Sequence, residues 1–241
     1  MRKPDDEPDL IAESRRRCGE LERMLSHVHA PSSEATFTAA SGQSMTVKIP
    51  SKLVAVEGTL SWRAHDFAAL ACDLFERKRI VPGAVIARSL METTALFYLV
   101  YKKTVQALDQ RSLTHLDAFL IRCMSGNRLA KGEPESPNIL MAIQAIDKEP
   151  GCEKYADFYA SLSEFAHPNA LGSFHAYSSF DDESRAIWFG RNRGLTRGED
   201  MAFTVVFALE VLVGFLARAK SMMPAVVALA KVTYTDAEEG S

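Results

Sequence analysis

The sequence predicts a mainly α fold, a helical bundle with antiparallel helix hairpins and one small β-hairpin insert. Three observations predict it. Apolar residues recur at three- and four-residue steps along most of the chain. The alternation expected of a half-buried strand is confined to residues 173–190. One segment near the C-terminus, residues 201–217, is apolar nearly all round, as a central bundle helix is.

Residues 10–28 read as an amphipathic helix, with Cys18, Leu21, Met24, Leu25 and Val28 on one face. Residues 30–50 are rich in Ser, Thr and Ala and read as a loop with a short strand at 45–49. Residues 1–50 are therefore expected to form a loosely attached arm of helix and loop. The second helix, 51–78, carries Leu53, Val56, Leu60, Phe67, Leu70, Leu74 and Phe75 as its stripe. It ends on Arg77-Lys78-Arg79, where the helix dipole favours cations. Pro82 opens a third helix to about residue 103, since a proline in the first turn forfeits no hydrogen bond. Val85, Ile86, Leu90, Leu96, Phe97 and Val100 are expected to face inward. The short link makes these two helices an antiparallel hairpin.

A fourth helix is expected over 105–124, with Leu113, Leu116, Phe119, Leu120 and Cys123 on one face. A polar loop follows to residue 135, and Ser136-Pro137 starts a short helix to about residue 148. Pro150-Gly151 separates it from the helix 152–166, lined by Tyr155, Phe158, Tyr159, Leu162 and Phe165. His167-Pro168-Asn169 ends that helix. In 173–190, Phe174, Ala176, Ser178 and Phe180 alternate with polar or mixed residues, residues 181–184 are turn-like and 186–189 apolar, which reads as a β-hairpin. Thr196 and Glu199 form a capping box for the last helix, which runs to about residue 221. Pro224 is expected to interrupt it before a short helix to 231, and residues 232–241 to form a disordered acidic tail. The uneven spread of apolar residues makes 51–231 a single domain.

Composition excludes more than it assigns. With 28 Lys and Arg against 31 Asp and Glu, the net charge is −3, without the cationic surplus of a general nucleic-acid binder. Basic runs are local, at Arg15 to Arg17 and at Arg191, Arg193 and Arg197. The four cysteines lie far apart with no metal or redox spacing and read as small apolar core residues, which fits a reducing, cytoplasmic location. Residues 1–12 are charged and lack the apolar region of a secretory signal. Residues 201–217 resemble a membrane span, but Glu210 near the centre and Arg218 at the end make a buried core helix the expectation.

No phosphate-binding glycine loop, zinc-protease motif or nucleophile elbow occurs, so no cofactor is expected. His27 with His29, and His115 with Asp117, stand two apart and point in different directions on a helix; no metal site is expected. Two polar stripes are more informative. Tyr159, Ser163 and His167 follow at four-residue steps, with His167 at the helix end. Arg88 and Glu92 stand four apart inside an otherwise apolar helix. As structural groups, these are an ion pair and a helix cap. As functional groups, Arg88 would grip a phosphate or carboxylate, His167 would move a proton, and Glu92, Tyr159 and Ser163 would bind.

Three pieces in order carry a resemblance: Pro82-Gly83-Ala84 with Arg88-Ser89-Leu90-Met91-Glu92, then Tyr159-x-x-Leu162-Ser163-x-x-x-His167-Pro168, then the strand insert and last helix. Residues 51–219 resemble an uncharacterised bacterial all-helical family, itself similar to HEPN-like domains. The resemblance implies a helical bundle, often dimeric. It also implies a place among RNases or RNA-associated modules of toxin and defence systems. The RNase signature sets an Arg five to seven positions before the His; here those positions are Leu162, Ser161 and Ala160. Only His167 matches, with Arg88 as a replacement cation from another helix. The leading expectation is a binding or interaction module that forms a homo-oligomer, with RNA or protein as a further partner. Its interface would use the last helix and the aromatic face at Phe158 and Phe165. The alternative is a metal-independent RNase or nucleotide-directed enzyme using Arg88 and His167.

Overall fold

The computed structural model describes residues 9–25, 36–38, 44–46, 48–126, 135–192 and 201–239, with the two strands before residue 47 and the helix beyond residue 233 as backbone only. The fold is mainly α, as the patterning predicts. Among the described residues, seven α-helices run in the order α1 (Leu10–Leu25), α2 (Lys48–Glu76), α3 (Ile80–Asp109), α4 (Thr114–Ser125), α5 (Ile139–Ile146), α6 (Tyr155–Ala166) and α7 (Ala202–Glu239). Two antiparallel hairpins interrupt them: β1 (Thr36–Thr38) with β2 (Ser44–Thr46), and β3 (Ser178–Asp181) with β4 (Ala186–Phe189).

The long helices α2 and α3 form the predicted hairpin, and α7 packs across both. The α2–α3 turn is made by Lys78, whose φ of 52° places it in the left-handed region. Fully buried alanines on facing stripes, Ala64, Ala68 and Ala71 of α2 with Ala84, Ala87 and Ala95 of α3, suit a close approach of two helices. Gly83 belongs to the same interface: a Cβ there would lie 2.6 Å from the Phe75 ring. Tyr98, Phe97, Leu90 and Met91 of α3 fill the centre, and Tyr98 and Tyr101 meet Phe215 of α7 at ring distances of 5.0 and 5.2 Å.

Several boundaries differ from those predicted. Helix α3 continues to Asp109 because the apolar pattern carries on through Val100, Thr104 and Ala107, all buried. The break falls instead at Arg111, at φ 49°, so α4 starts at Thr114. Helix α5 is capped by Asn138, whose side-chain oxygen accepts from the backbone N–H groups of Leu140 and Met141. Ser136, the expected cap, donates its hydroxyl to the Gly126 carbonyl at 2.8 Å. Leu70 and Val85, expected inward, are exposed.

The N-terminal helix is no loose arm. Cys18, Leu21 and Leu25 sit in the common core, and α1 packs on both α2 and α7. Arg15 reaches Asp73 and Glu76 of α2, and Arg17 reaches Glu210 of α7. Helix α7 also departs from expectation. It continues through Pro224 and on to Glu239, so the backbone of the acidic tail is helical that far. Nor is it buried all round: Phe203, Glu210, Gly214, Ala217 and Arg218 are exposed on one side. By length and composition α3 and Ala202–Thr233 of α7 could each cross a membrane, yet 56% of each apolar window is buried within the bundle. The capping box at Thr196 and Glu199 lies outside the described residues, as do His27, His29, Arg193 and Arg197.

After α6 the chain makes a π-helical turn, Ala170–His175, that folds back on the helix end. Gly172 allows this: any Cβ there would strike the carbonyl oxygens of His167 and Phe165. The hairpin expected over 173–190 is present but shorter, its first half being taken by this turn.

Candidate functional site

A cleft of about 600 Å³ opens where α3, α4, α5 and α6 meet. Three of the predicted residues line it: Arg88 and Glu92 from α3, and Tyr159 from α6. Their convergence follows from local rules plus one tertiary contact. Arg88 and Glu92 share a helix face at four-residue spacing, and Arg88 Nε lies 3.2 Å from Glu92 Oε1. Helix α6 packs on α3 through Tyr155, fully buried, whose hydroxyl donates to the Met91 carbonyl at 2.8 Å. One turn on, that packing delivers Tyr159 to the ion pair.

Tyr159 bridges the pair. Its hydroxyl donates to Glu92 Oε1 at 2.9 Å and accepts from Arg88 Nε and Nη2 at 3.2 and 3.1 Å. The guanidinium also lies over the phenol ring, 5.2 Å from its centroid. Burial pushes the phenol up from its usual range, with Glu92 adding to the rise and Arg88 opposing it, so it stays a neutral donor near pH 7. Two carboxylate and phenol contacts thus fix one edge of Arg88. Its Nη1 makes no hydrogen bond among the described residues.

The rest of the described lining comes from residues that the sequence did not single out as functional. Arg122 lines the cleft from α4, its Nε held at 2.8 Å by the Glu135 carbonyl. Its two Nη nitrogens have no hydrogen-bond partner among the described residues. Ser136, Asn138 and Leu140 belong to it too, with Leu96 and Cys123 as the apolar part. Burial pushes the Cys123 thiol up to about 12, so it is no thiolate at neutral pH. Among the described residues that line the cleft, two guanidiniums stand against one carboxylate. Arg122 carried only a weak signal, a cation one residue before an inward cysteine.

Ser163 and His167 stand apart from this group. The Ser163 hydroxyl is turned back on its own helix, donating to the Tyr159 carbonyl at 2.8 Å. His167 follows the last residue of α6 with extended backbone and is exposed. Eight residues separate it from Tyr159, roughly 12 Å along a helix axis, and it is not among the residues lining the cleft. The five-residue expectation of one stripe facing another therefore divides: Arg88, Glu92 and Tyr159 meet, while Ser163 and His167 do not join them. Among the described residues, no three His, Cys, Asp or Glu side chains come together as metal ligands.

Compared with protein-family models, with curated proteins and with solved structures, the chain matches none.

Proposed function

We propose that this chain is a binding module whose ligand is a small molecule bearing one carboxylate or phosphate group, seated between Arg88 and Arg122. The observation that carries the reading is the pairing of two guanidiniums from different helices across one cleft, one of them pre-oriented by Tyr159 and Glu92. Such fixing lowers the entropy lost on binding. An arginine presents parallel N–H groups that match a carboxylate or phosphate edge. The volume falls within the range of small-molecule sites. Among the described lining residues, the neutral phenol of Tyr159 and thiol of Cys123 suit recognition more than proton transfer near pH 7. Binding is accordingly favoured over an RNase that uses Arg88 with His167. Four free cysteines support a cytoplasmic setting for the module.

Thermal shift with a set of phosphomonoesters and short carboxylates tests the reading. At about a hundred times its Kd, a ligand adds about 2.7 kcal/mol. The expected result is stabilisation by at least one compound, lost in both Arg88→Ala and Arg122→Ala. Equal stabilisation of the two variants and the parent would overturn it. RNA cleavage that falls in Arg88→Ala and His167→Ala alike would install the enzyme in its place.

A further inference from the structure

The cleft between α3, α4, α5 and α6 has an apolar part that an anion alone does not use. Among the described lining residues, charge is confined to Arg88, Glu92 and Arg122, while Leu96, Cys123, Pro137, Ile139 and Leu140 are apolar. Apolar surface also continues past the lining. Leu140 is 58% exposed, and Met124 and Met141, each next in sequence to a lining residue, are 57% and 65% exposed. One exposed apolar side chain is ordinary. Three beside one cleft, uncovered among the described residues, mark a place for an apolar ligand group.

The neutral polar groups of the lining are already engaged. The Ser136 hydroxyl donates to the Gly126 carbonyl at 2.8 Å. The Asn138 side-chain oxygen accepts from the N–H groups of Leu140 and Met141. The Tyr159 hydroxyl is held between Arg88 and Glu92. A sugar body would turn hydroxyls toward walls with few free partners, and each one buried unmet costs about fivefold or more in affinity. A nucleobase finds no free platform, because Tyr159, the only ring among the described lining residues, already faces the Arg88 guanidinium. A hydrocarbon chain asks for no hydrogen bond.

We infer that the ligand is an amphiphile, with one anionic head at Arg88 and Arg122 and an aliphatic tail over Leu96, Cys123, Ile139 and Leu140. This rests on the anion-binding reading of the cleft and adds what the rest of the ligand is. A medium-chain fatty acid and an alkyl phosphate share that chemistry. Met124 and Met141 suit a tail of variable length, since an unbranched thioether side chain repacks easily.

Isothermal titration calorimetry of the full chain with straight-chain carboxylates from propionate to octanoate tests the inference, the weak members being measured by displacement of octanoate. Each methylene buried is worth about two- to fourfold in affinity, the upper figure for complete burial. Octanoate should therefore bind at least about thirtyfold tighter than propionate. The heat-capacity change of binding should grow more negative along the series. Octyl phosphate should bind tighter than glucose phosphate, and its ratio to octanoate assigns the head. Leu140→Ser, at an exposed position, should weaken octanoate at least about threefold and leave propionate unchanged. Arg122→Ala should weaken both by the same factor. Melting of each variant without ligand shows that the bundle is intact. Affinity that is flat with chain length, or glucose phosphate bound as tightly as octyl phosphate, overturns the inference; the anion reading survives if Arg122→Ala still removes binding. Octanoate binding undiminished in Arg122→Ala places the chain elsewhere, as on the apolar hairpin β3–β4 where Phe189 is 77% exposed, and also overturns it. No binding by any of these compounds overturns both.

Discussion

Replacing Glu57 by Gln should make the protein more stable in neutral and alkaline solution, and the gain should vanish in acid. Glu57 sits on the inward face of α2 at 6% exposure, and its Oε1 is buried without a hydrogen-bond partner. Burial pushes its carboxyl up from 4.5 to about 7, with only Lys220 of α7 pulling it back. In the unfolded chain the same group titrates in its ordinary range. Between pH 4.5 and 7 the folded state therefore holds a proton that the unfolded state has lost, so stability falls as pH rises through that window. Above pH 7 the penalty is complete. Each tenfold change in proton affinity is 1.36 kcal/mol, which makes the penalty about 3 kcal/mol. For a chain of 241 residues that corresponds to about 6–12 °C in Tm. Melting curves of parent and Glu57→Gln from pH 4 to 9 measure it. The expected outcome is coincidence at acid pH and a gap that opens between pH 4.5 and 7. Glu13, held low by Arg16 and Arg17, and Glu149, held low by Lys102, lose stability only as pH falls toward their lowered values, outside that window and in both proteins alike. A gap that is constant with pH, or absent at pH 8, would refute the assignment of a proton to buried Glu57.

Four further outcomes follow from packing and hydrogen bonding. Leu21→Ala should cost about 2–5 kcal/mol in urea unfolding, since Leu21 is fully buried; a loss under 1 kcal/mol would return α1 to the status of a loose arm. Gly83→Ala should destabilise by about 1–3 kcal/mol, because its Cβ would meet the Phe75 ring at 2.6 Å. Gly214→Ala, with nothing within 4 Å, should stabilise α7 by about 0.5–1 kcal/mol, and opposite signs in the two melts are the check. Tyr159→Phe should cost about 1 kcal/mol by removing the bridge between Arg88 and Glu92; no change would mean that the ion pair holds its geometry unaided.

Helix α3 was readable from its sequence because its inward residues keep a helical period over thirty positions, whatever they pack against. The errors share a different origin. Pro224 removes one backbone donor, a local penalty that the surrounding turns of α7 override, since Val226, Val227 and Ala230 beyond it are buried. Alternation in β3 and β4 indicates strands but not what covers them. Ser178 is buried while its cross-strand neighbour Phe189 is open, the reverse of what polarity suggests, because the hairpin's position relative to α6 is a tertiary fact.

The site was legible only where its members share a helix. Spacing by four located Arg88 with Glu92, and Tyr159 with Ser163, and both readings describe true helical neighbours. Spacing cannot tell which neighbour looks across to another helix. Tyr159 does so because Tyr155 anchors α6 on α3, whereas the hydroxyl of Ser163 is short and reaches its own helix first. His167 stands at the C-cap of α6, its N–H still bonded to the Ser163 carbonyl, and lies two turns beyond Tyr159, past the cleft rather than in it. Arg122 shows the converse. Only a weak pattern marks it, yet the link to α5 places the Glu135 carbonyl on its Nε and so holds the guanidinium at the cleft. A cation held by a backbone carbonyl keeps its full charge, whereas Arg88 is partly neutralised by Glu92. The net attraction for an anion therefore rests more on Arg122 than on the residue that the sequence made conspicuous.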